Sequence, residues 1–183
     1  MVERYVKLAR AEPMAAAAVA IAAVGLATVA GFLLFQHVLG YPPCPLCYEQ
    51  RYPYYFAIPL AALILLGLSV GSSRKVLLAA LLAIAAAMLW NAGLGVYHSG
   101  IEWHWWPGPQ DCSGPLTDFG AAGGLLQRLQ NVRVVRCDEA AWRFLGLSLA
   151  GYNVLISLAL AAIAAWGALA GYRAAQGSSS VSQ

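Results

Sequence analysis

The chain has 183 residues, of which 61% are hydrophobic and only 10% charged, and its formal net charge is +3. Ordinary globular domains carry about 25% charged residues. This composition therefore excludes a typical soluble domain and indicates a protein that folds among membrane lipids. We predict no nucleic-acid partner.

Four apolar runs follow one another along the chain, at residues 14–35, 52–70, 76–97 and 144–170, and they predict helices at about 14–35, 48–70, 76–97 and 144–170. Each is near or above the ~20 residues that an α-helix needs to cross the hydrocarbon core. The first run could instead be a cleaved signal peptide, but it exceeds the ~7–15 apolar residues of a typical signal. The pattern predicts an all-α membrane protein: a four-transmembrane-helix bundle forming a single domain over residues 1–183.

Lysine and arginine are unevenly distributed between the segments that join the predicted spans. The two ends and the 71–75 connection hold six basic and two acidic residues, whereas the other side holds five basic and six acidic residues. Because positive charge marks the cytoplasmic side, both termini are expected inside. Loops at about 36–47 and 98–143 then face outward, and all four cysteines lie in them or at their edges, which fits an oxidising compartment.

The first outward loop ends in the motif Cys44-Pro45-Leu46-Cys47, followed by Arg51. The second predicted span starts close to Cys47, and a helix N-terminus and a neighbouring arginine both favour a thiolate. Arg51 comes one turn after Cys47 and so shares its helical face. This pattern indicates reversible thiol chemistry. Static structural disulfides remain an alternative interpretation.

Two cofactor interpretations of these cysteines are less favourable. Structural zinc usually takes two close-spaced cysteine pairs, but 24 residues separate Cys112 from Cys137. A c-type haem site needs histidine directly after the motif, where this chain has Tyr48. We therefore predict no metal centre.

The second outward loop opens with an aromatic cluster over residues 101–106 that suits the membrane interface. Within this cluster we interpret Glu102 as an interface anchor. A short amphipathic, interfacial helix is predicted over residues 118–132, and a disordered tail over 173–183. Asn91 and Asn153, inside the third and fourth spans, are interpreted as polar contacts between helices.

Several segments together resemble the disulfide bond formation protein B (DsbB) family: Phe35-Gln36-His37-Val38, Cys44-Pro45-Leu46-Cys47 with Arg51, Tyr97-His98, Cys112, and residues 137–148, Cys137-Asp138-Glu139-Ala140-Ala141-Trp142-Arg143-Phe144-Leu145-Gly146-Leu147-Ser148. The resemblance implies a protein of the bacterial inner membrane that makes disulfides de novo. It would reoxidise a DsbA-like periplasmic thioredoxin-fold protein and pass the electrons to a membrane quinone, either ubiquinone or menaquinone.

The resemblance also implies a different role for each of the four cysteines. Cys112 would form the mixed disulfide with the soluble partner. Cys137 would then be released and attack Cys44, which would link the two loops transiently. Cys47, freed as a thiolate, would face the quinone. All four cysteines are therefore candidate catalytic residues.

The same resemblance implies a quinone site formed by Cys47, Arg51, His98 and, more weakly, Gln36. Arg51 would stabilise the thiolate and the developing negative charge on the quinone. A vitamin K epoxide reductase-like protein would also have four membrane helices and a Cys-x-x-Cys motif, but there the cysteine pair is expected near a later helix. A membrane scaffold with two static disulfides and a metal-binding membrane protein are the alternatives outside this class.

Overall fold

The computed structural model describes residues 12–109 and 136–180, with side chains described to residue 176. Five α-helices and one small hairpin occupy these residues. The helices are α1 (Pro13–Leu33), α2 (Pro45–Glu49), α3 (Tyr52–Ser69), α4 (Arg74–Glu102) and α5 (Leu149–Ser180), and the hairpin strands are β1 (Arg143–Phe144) and β2 (Leu147–Ser148). A π-helical turn, Leu34–Val38, extends α1.

Among the described residues, four stretches are long and apolar enough to cross a membrane: Pro13–Val38, Pro45–Ser69, Arg74–Glu102 and Leu149–Gln176. The predicted four-helix membrane bundle is confirmed. The helices form a closed ring in which α1 packs against α3 and α5, and α4 packs against the same two neighbours. The interior is filled by small and aliphatic side chains, with Tyr54 the largest fully buried one.

The close approach of α4 and α5 depends on a glycine. A Cβ atom at Gly95 would lie 2.7 Å from Val154 Cγ2 and 3.2 Å from the Ala150 carbonyl oxygen. Small residues at such positions let helix backbones approach closely in membranes. This contact brings the polar residues of the two helices within reach of each other.

The second span is made of α2 and α3, with Gln50 and Arg51 between them. Cys44 is the N-cap of α2, and its sulfur accepts a hydrogen bond from the Cys47 backbone N–H. Pro45 occupies the first turn, where its missing N–H costs nothing. The short helix therefore begins at the first cysteine of the motif and positions the second one turn later.

Helix α5 begins at Leu149, whereas the apolar run predicts a start at 144. The hairpin takes up the intervening residues, and its two-residue turn has positive φ at Leu145 (48°) and Gly146 (82°). Positive φ at both central residues is the geometry that suits the twist of a tight hairpin. The first residues of this apolar run therefore form the hairpin, and the helix begins after them.

Other boundaries also differ from the sequence-based expectations. Helix α4 continues to Glu102 rather than ending near 97, so His98 lies within the helix. Helix α5 continues to Ser180, through most of the tail that we expected to be disordered. The predicted interfacial helix over 118–132 lies outside the described residues.

Candidate active site at the Cys44–Cys47 pair

Cys44 and Cys47 face each other across the first turn of α2. Their sulfurs are 2.7 Å apart, and both are free cysteines. The Cys44 side chain is buried, whereas Cys47 is half-buried. The pair therefore has the proximity that disulfide closure needs, and Cys47 is its more accessible member.

The hydrogen bond between the two sulfurs affects the two thiols differently. The pKa of the Cys44 thiol is raised well above its ordinary value, mainly because its S–H group hydrogen-bonds to Cys47 and also because it is buried. Cys44 is thus held as a thiol that can donate to the Cys47 sulfur. A thiol beside a potential thiolate is the arrangement that thiol–disulfide exchange uses, since the thiolate is the attacking species.

Arg51 lies behind the cysteine pair, where α2 meets α3. Its Nη1 donates a 2.7 Å hydrogen bond to Gln36 Oε1 in the π-helical turn. Its guanidinium group stacks over Phe32 at 5.5 Å and Tyr48 at 5.0 Å from the ring centroids. The side chain is only 7% exposed, and its charge acts on the Cys47 sulfur. These contacts hold a positive charge beside the pair.

His98 reaches the pair from α4. Its Nε2 atom lies 3.7 Å from the Cys44 sulfur and 3.9 Å from Glu102 Oε1, one turn further along the helix. Its Nδ1 atom is 2.8 Å from Gln50 Nε2. The imidazole is buried and has polar partners on both sides of the ring.

A chain of buried amides continues from His98 into the bundle. Asn153 Nδ2 donates to Gln50 Oε1 at 2.8 Å, and Tyr54 donates its O–H to Asn153 Oδ1 at 2.7 Å. Asn91 Nδ2 donates to Ser157 Oγ at 3.0 Å. The interpretation of Asn91 and Asn153 as interhelical contacts fits these bonds. Asn153 in addition connects to His98 through Gln50. We call Gln50, Asn153 and Tyr54 the amide relay.

An open cleft with an accessible volume of about 80 Å³ adjoins the pair. Its polar lining includes Gln36, Arg51 and His98. Its aromatic lining includes Phe32, Phe35 and Trp142, with the last two rings in edge-to-face contact at 5.1 Å. Pockets that bind small molecules combine such apolar walls with a few convergent polar groups.

The structure brings together most of the predicted site residues. Cys137 is disulfide-bonded and 1% exposed, and it lies in one buried cluster with Cys44, Leu46 and Ile101. Cys112 lies outside the described residues. The second outward loop therefore does reach the Cys-x-x-Cys motif, at Cys137.

Sequence reasoning missed three buried polar residues of this site: Glu102, Gln50 and Asn153. The interpretation of Glu102 as an interface anchor is wrong, since it is 6% exposed and lines the cleft. Its position four residues after His98 on a membrane helix was the available signal, because an ionisable residue within a span is a candidate functional residue by default.

The site also offers a possible metal-ligand set, because the ligand atoms of Cys44, Cys47 and His98 all lie within 4.8 Å of one another. Two thiolates on one tetrahedral zinc ion would stand roughly 3.8 Å apart, given Zn–S bonds of about 2.3 Å. The observed 2.7 Å between the sulfurs is shorter and suits thiol chemistry better. The absence of a metal centre stays a prediction.

Four membrane-crossing helices that hold a reactive cysteine pair beside a cleft define a membrane protein of thiol–disulfide chemistry. The family model described as disulfide bond formation protein DsbB matches residues 14–167. The chain belongs to the DsbB family, and it is a multi-pass membrane protein of disulfide bond formation.

Relatives named disulfide bond formation protein B occur in several bacteria. The protein of Albidiferax ferrireducens is 32% identical over 161 residues, covering 78% of this chain and 83% of that protein. The protein of Marinobacter nauticus is 33% identical, covering 72% and 76% of the two chains. That of Aromatoleum aromaticum is 34% identical, covering 73% and 79%. No solved structure shows significant similarity to this chain.

Proposed function

We propose that this protein is a quinone-dependent thiol:disulfide oxidoreductase. It reoxidises a DsbA-like thioredoxin-fold protein of the periplasm and passes the electrons to ubiquinone or menaquinone in the membrane. The observation that carries the proposal is the position of the Cys44–Cys47 pair at the wall of an aromatic cleft, beside a buried arginine. Thiols that reacted only with soluble proteins would not need such a cleft.

The cleft residues fit a quinone. A quinone is a flat, largely apolar ring with two carbonyl oxygens, and it takes up two electrons and two protons on reduction. Phe32, Phe35 and Trp142 supply apolar walls. Arg51 has N–H groups beyond the one bonded to Gln36, and His98 adds a ring nitrogen. These donors suit an oxygen that gains negative charge, because prepositioned donors are most effective where charge develops.

The cysteines of this chain perform the exchange steps. Cys112 receives the attack of the reduced partner, and Cys137 is released as the leaving sulfur. Cys137 then attacks Cys44, which frees Cys47. When the second thiol of the partner resolves the mixed disulfide, Cys112 attacks Cys137, restores the Cys112–Cys137 disulfide and frees Cys44 as a thiol. The burial of Cys137 in one cluster with Cys44 supports this order. Exchange proceeds by attack of a thiolate on a disulfide sulfur through a mixed disulfide.

Arg51 and Cys47 perform the step at the cleft. Arg51 holds positive charge beside the Cys47 sulfur and stabilises its thiolate form, while Cys44 waits as the protonated partner. Closing the Cys44–Cys47 disulfide releases two electrons. Each ~30 mV of potential difference in such a two-electron exchange corresponds to ~1.4 kcal/mol, so a strongly oxidising acceptor can drive formation of even a reactive disulfide.

The charge pattern supports an orientation with both termini in the cytoplasm. Arg74 and Lys75 lie at the start of α4, and His98 lies near its other end. With the basic end inside, the cysteine pair faces the periplasm. The protein would then meet its soluble partner in an oxidising compartment.

The test is reconstitution of the full chain in lipid with a quinone and a reduced thioredoxin-fold partner. We expect quinol to form with oxidation of the partner, and Cys47→Ser to abolish quinol formation. Quinol formation that survives Cys47→Ser would contradict the proposed mechanism. Ser72→Ala, at the opposite end of the bundle, is the matched control and should leave the rate unchanged.

The scaffold interpretation makes a different prediction about the loops. When the fully oxidised wild-type chain meets a partner that keeps only its attacking cysteine, the mixed disulfide at Cys112 cannot resolve, and the proposed pathway should stall with Cys44 joined to Cys137. Two static disulfides would give no such linkage. Non-reducing peptide mapping after an acid quench separates these outcomes.

A further inference from the structure

Glu102 is a buried carboxyl group that the exchange steps described above do not use. Its side chain is 5% exposed. Its Oε2 atom has no hydrogen-bond partner among the described residues, and Arg143 reaches the backbone oxygen of Glu102 at 3.4 Å. A buried carboxylate without a full set of partners is costly. The position is therefore more consistent with proton transfer than with structural anchoring.

The amide relay determines which nitrogen of His98 carries the proton. Tyr54 donates its O–H to Asn153 Oδ1, so the Asn153 amide nitrogen faces Gln50. Gln50 accepts that bond with its oxygen and must present its amide nitrogen to His98 Nδ1. Nδ1 is then an acceptor, and in neutral imidazole the other nitrogen, Nε2, carries the hydrogen.

This tautomer makes His98 a donor toward the cysteine pair. Its Nε2–H group lies next to the Cys44 sulfur and Glu102 Oε1, and the ring also hydrogen-bonds to the backbone of Cys137. A second proton could enter only at Nδ1, where the Gln50 N–H group already points. The relay thus opposes the charged imidazolium form, and His98 is a poor base for the Cys44 thiol.

We propose that Glu102 accepts the Cys44 proton when the Cys44–Cys47 disulfide forms. His98 does not accept this proton, because the amide relay directs the Gln50 N–H group at its Nδ1 atom. The inference rests on the proposed quinone-dependent function. Glu102 acts directly or through one water molecule, which is the usual reach of a general base. His98 donates its Nε2–H to the site throughout.

The step balances in atoms and electrons. The Cys44 S–H bond and the negative charge of the Cys47 thiolate are lost, one S–S bond forms, and two electrons go to the quinone. The Cys44 proton goes to the Glu102 carboxylate and from there to one quinone oxygen. The second quinol proton comes from the periplasmic solvent and replaces the one that Cys47 lost when it ionised.

Several titratable or charged groups interact with Glu102 or line the same cleft, and they contribute to any pH profile. They come from every element around it: His98 on α4, Cys44 and Cys47 on the second span, Arg51 at the start of α3, Arg136 and Glu139 before the hairpin, and Arg143 on β1. The Ser148 hydroxyl of β2 also interacts with the carboxyl. Glu102 is the buried carboxyl of this set, because Glu139 is exposed.

Glu102→Gln in the reconstituted full chain tests the proposal, with Glu49→Gln, an exposed glutamate, as the matched control. We expect Glu102→Gln to lower the quinol formation rate about 10²-fold, the scale of lost general-base catalysis. The low-pH fall in rate that carboxylate protonation causes should disappear in Glu102→Gln and persist in Glu49→Gln. An unchanged rate and pH profile in Glu102→Gln would overturn the proposal.

Two further measurements keep the outcome decisive. Alkylation of Cys47 should be no slower in folded Glu102→Gln than in the wild-type protein, because the attacking sulfur is intact and a neighbouring negative charge has been removed. If Glu102→Gln does not fold, Glu102→Asp replaces it, and we expect a shifted pH midpoint. An unshifted midpoint with full activity would overturn the inference. Failure of the wild-type protein to reduce quinone would instead overturn the proposed function on which it rests.

Discussion

His98 Nε2 lies 3.7 Å from the Cys44 sulfur, although 54 residues separate them in sequence. This contact joins the third span to the cysteine motif at the start of the second. The opposite ring nitrogen is bonded to Gln50, which is itself bonded to Asn153 of α5. Three of the four spans therefore contribute to the position of one imidazole, and its orientation depends on how the bundle packs.

The first prediction concerns the tautomer of His98. In the wild-type protein, ¹⁵N NMR of labelled histidine should show His98 as the neutral Nε2–H form. Gln50→Glu replaces the amide donor with a carboxylate acceptor of the same shape, so the proton should move to Nδ1. Exposed His37 is the internal control. An Nδ1–H signal in the wild-type protein would refute the assigned direction of the relay.

The second prediction concerns the reactivity of the two free thiols. Cys44 is 3% exposed, and its pKa is raised by its hydrogen bond to Cys47 and by burial. It should therefore remain a thiol through neutral and mildly alkaline pH, where an ordinary cysteine becomes increasingly reactive. Peptide mass spectrometry after iodoacetamide treatment of the reduced protein should find Cys47 modified first. Equal modification of both cysteines would contradict this.

The third prediction concerns Arg51. Arg51→Ala should slow quinone reduction about 10²-fold, the usual scale for losing one prepositioned donor to developing negative charge. Arg51→Lys keeps the charge but loses the planar fork, which bonds Gln36 and stacks on Phe32. We expect it to recover only part of the rate. Single-turnover kinetics would measure this, and wild-type kinetics in Arg51→Ala would remove Arg51 from the site.

The fourth prediction concerns stability. Tyr54 is fully buried and donates to Asn153 in the bundle interior. Tyr54→Phe should lower the free energy of unfolding by about 1 kcal/mol, because a buried polar partner loses its donor in an apolar surrounding. Tyr55→Phe is the control, since Tyr55 is 47% exposed. Unfolding in mixed micelles measures the difference, and equal stability of the two variants would contradict the account.

The sequence predicted the spans and the position of the Cys-x-x-Cys motif at the start of the second span, because both depend on local signals. Apolar length identifies a membrane helix, and Cys44, Cys47 and Arg51 lie within eight residues of one another. Sequence did not reveal the burial of Glu102. Its burial depends on α4 continuing past residue 97 and on the later hairpin contacting that end of the helix.

The hairpin and the amide relay show why the remaining details could not be predicted. Leu145 adopts a positive φ, which leucine seldom does, so an apolar run conceals the turn. Gln50 and Asn153 are 103 residues apart and meet only through helix packing. An isolated amide in a membrane helix indicates a polar contact without identifying its partner.

The most direct test of the central claim isolates the Cys44–Cys47 pair. In a Cys112→Ala/Cys137→Ala variant of the full chain, the reduced protein is mixed with quinone without oxygen, and quinol and disulfide are both counted. The account predicts one quinol for each Cys44–Cys47 disulfide, since the couple transfers two electrons. A disulfide that forms without quinol, or thiols that stay reduced with quinone in excess, would contradict it.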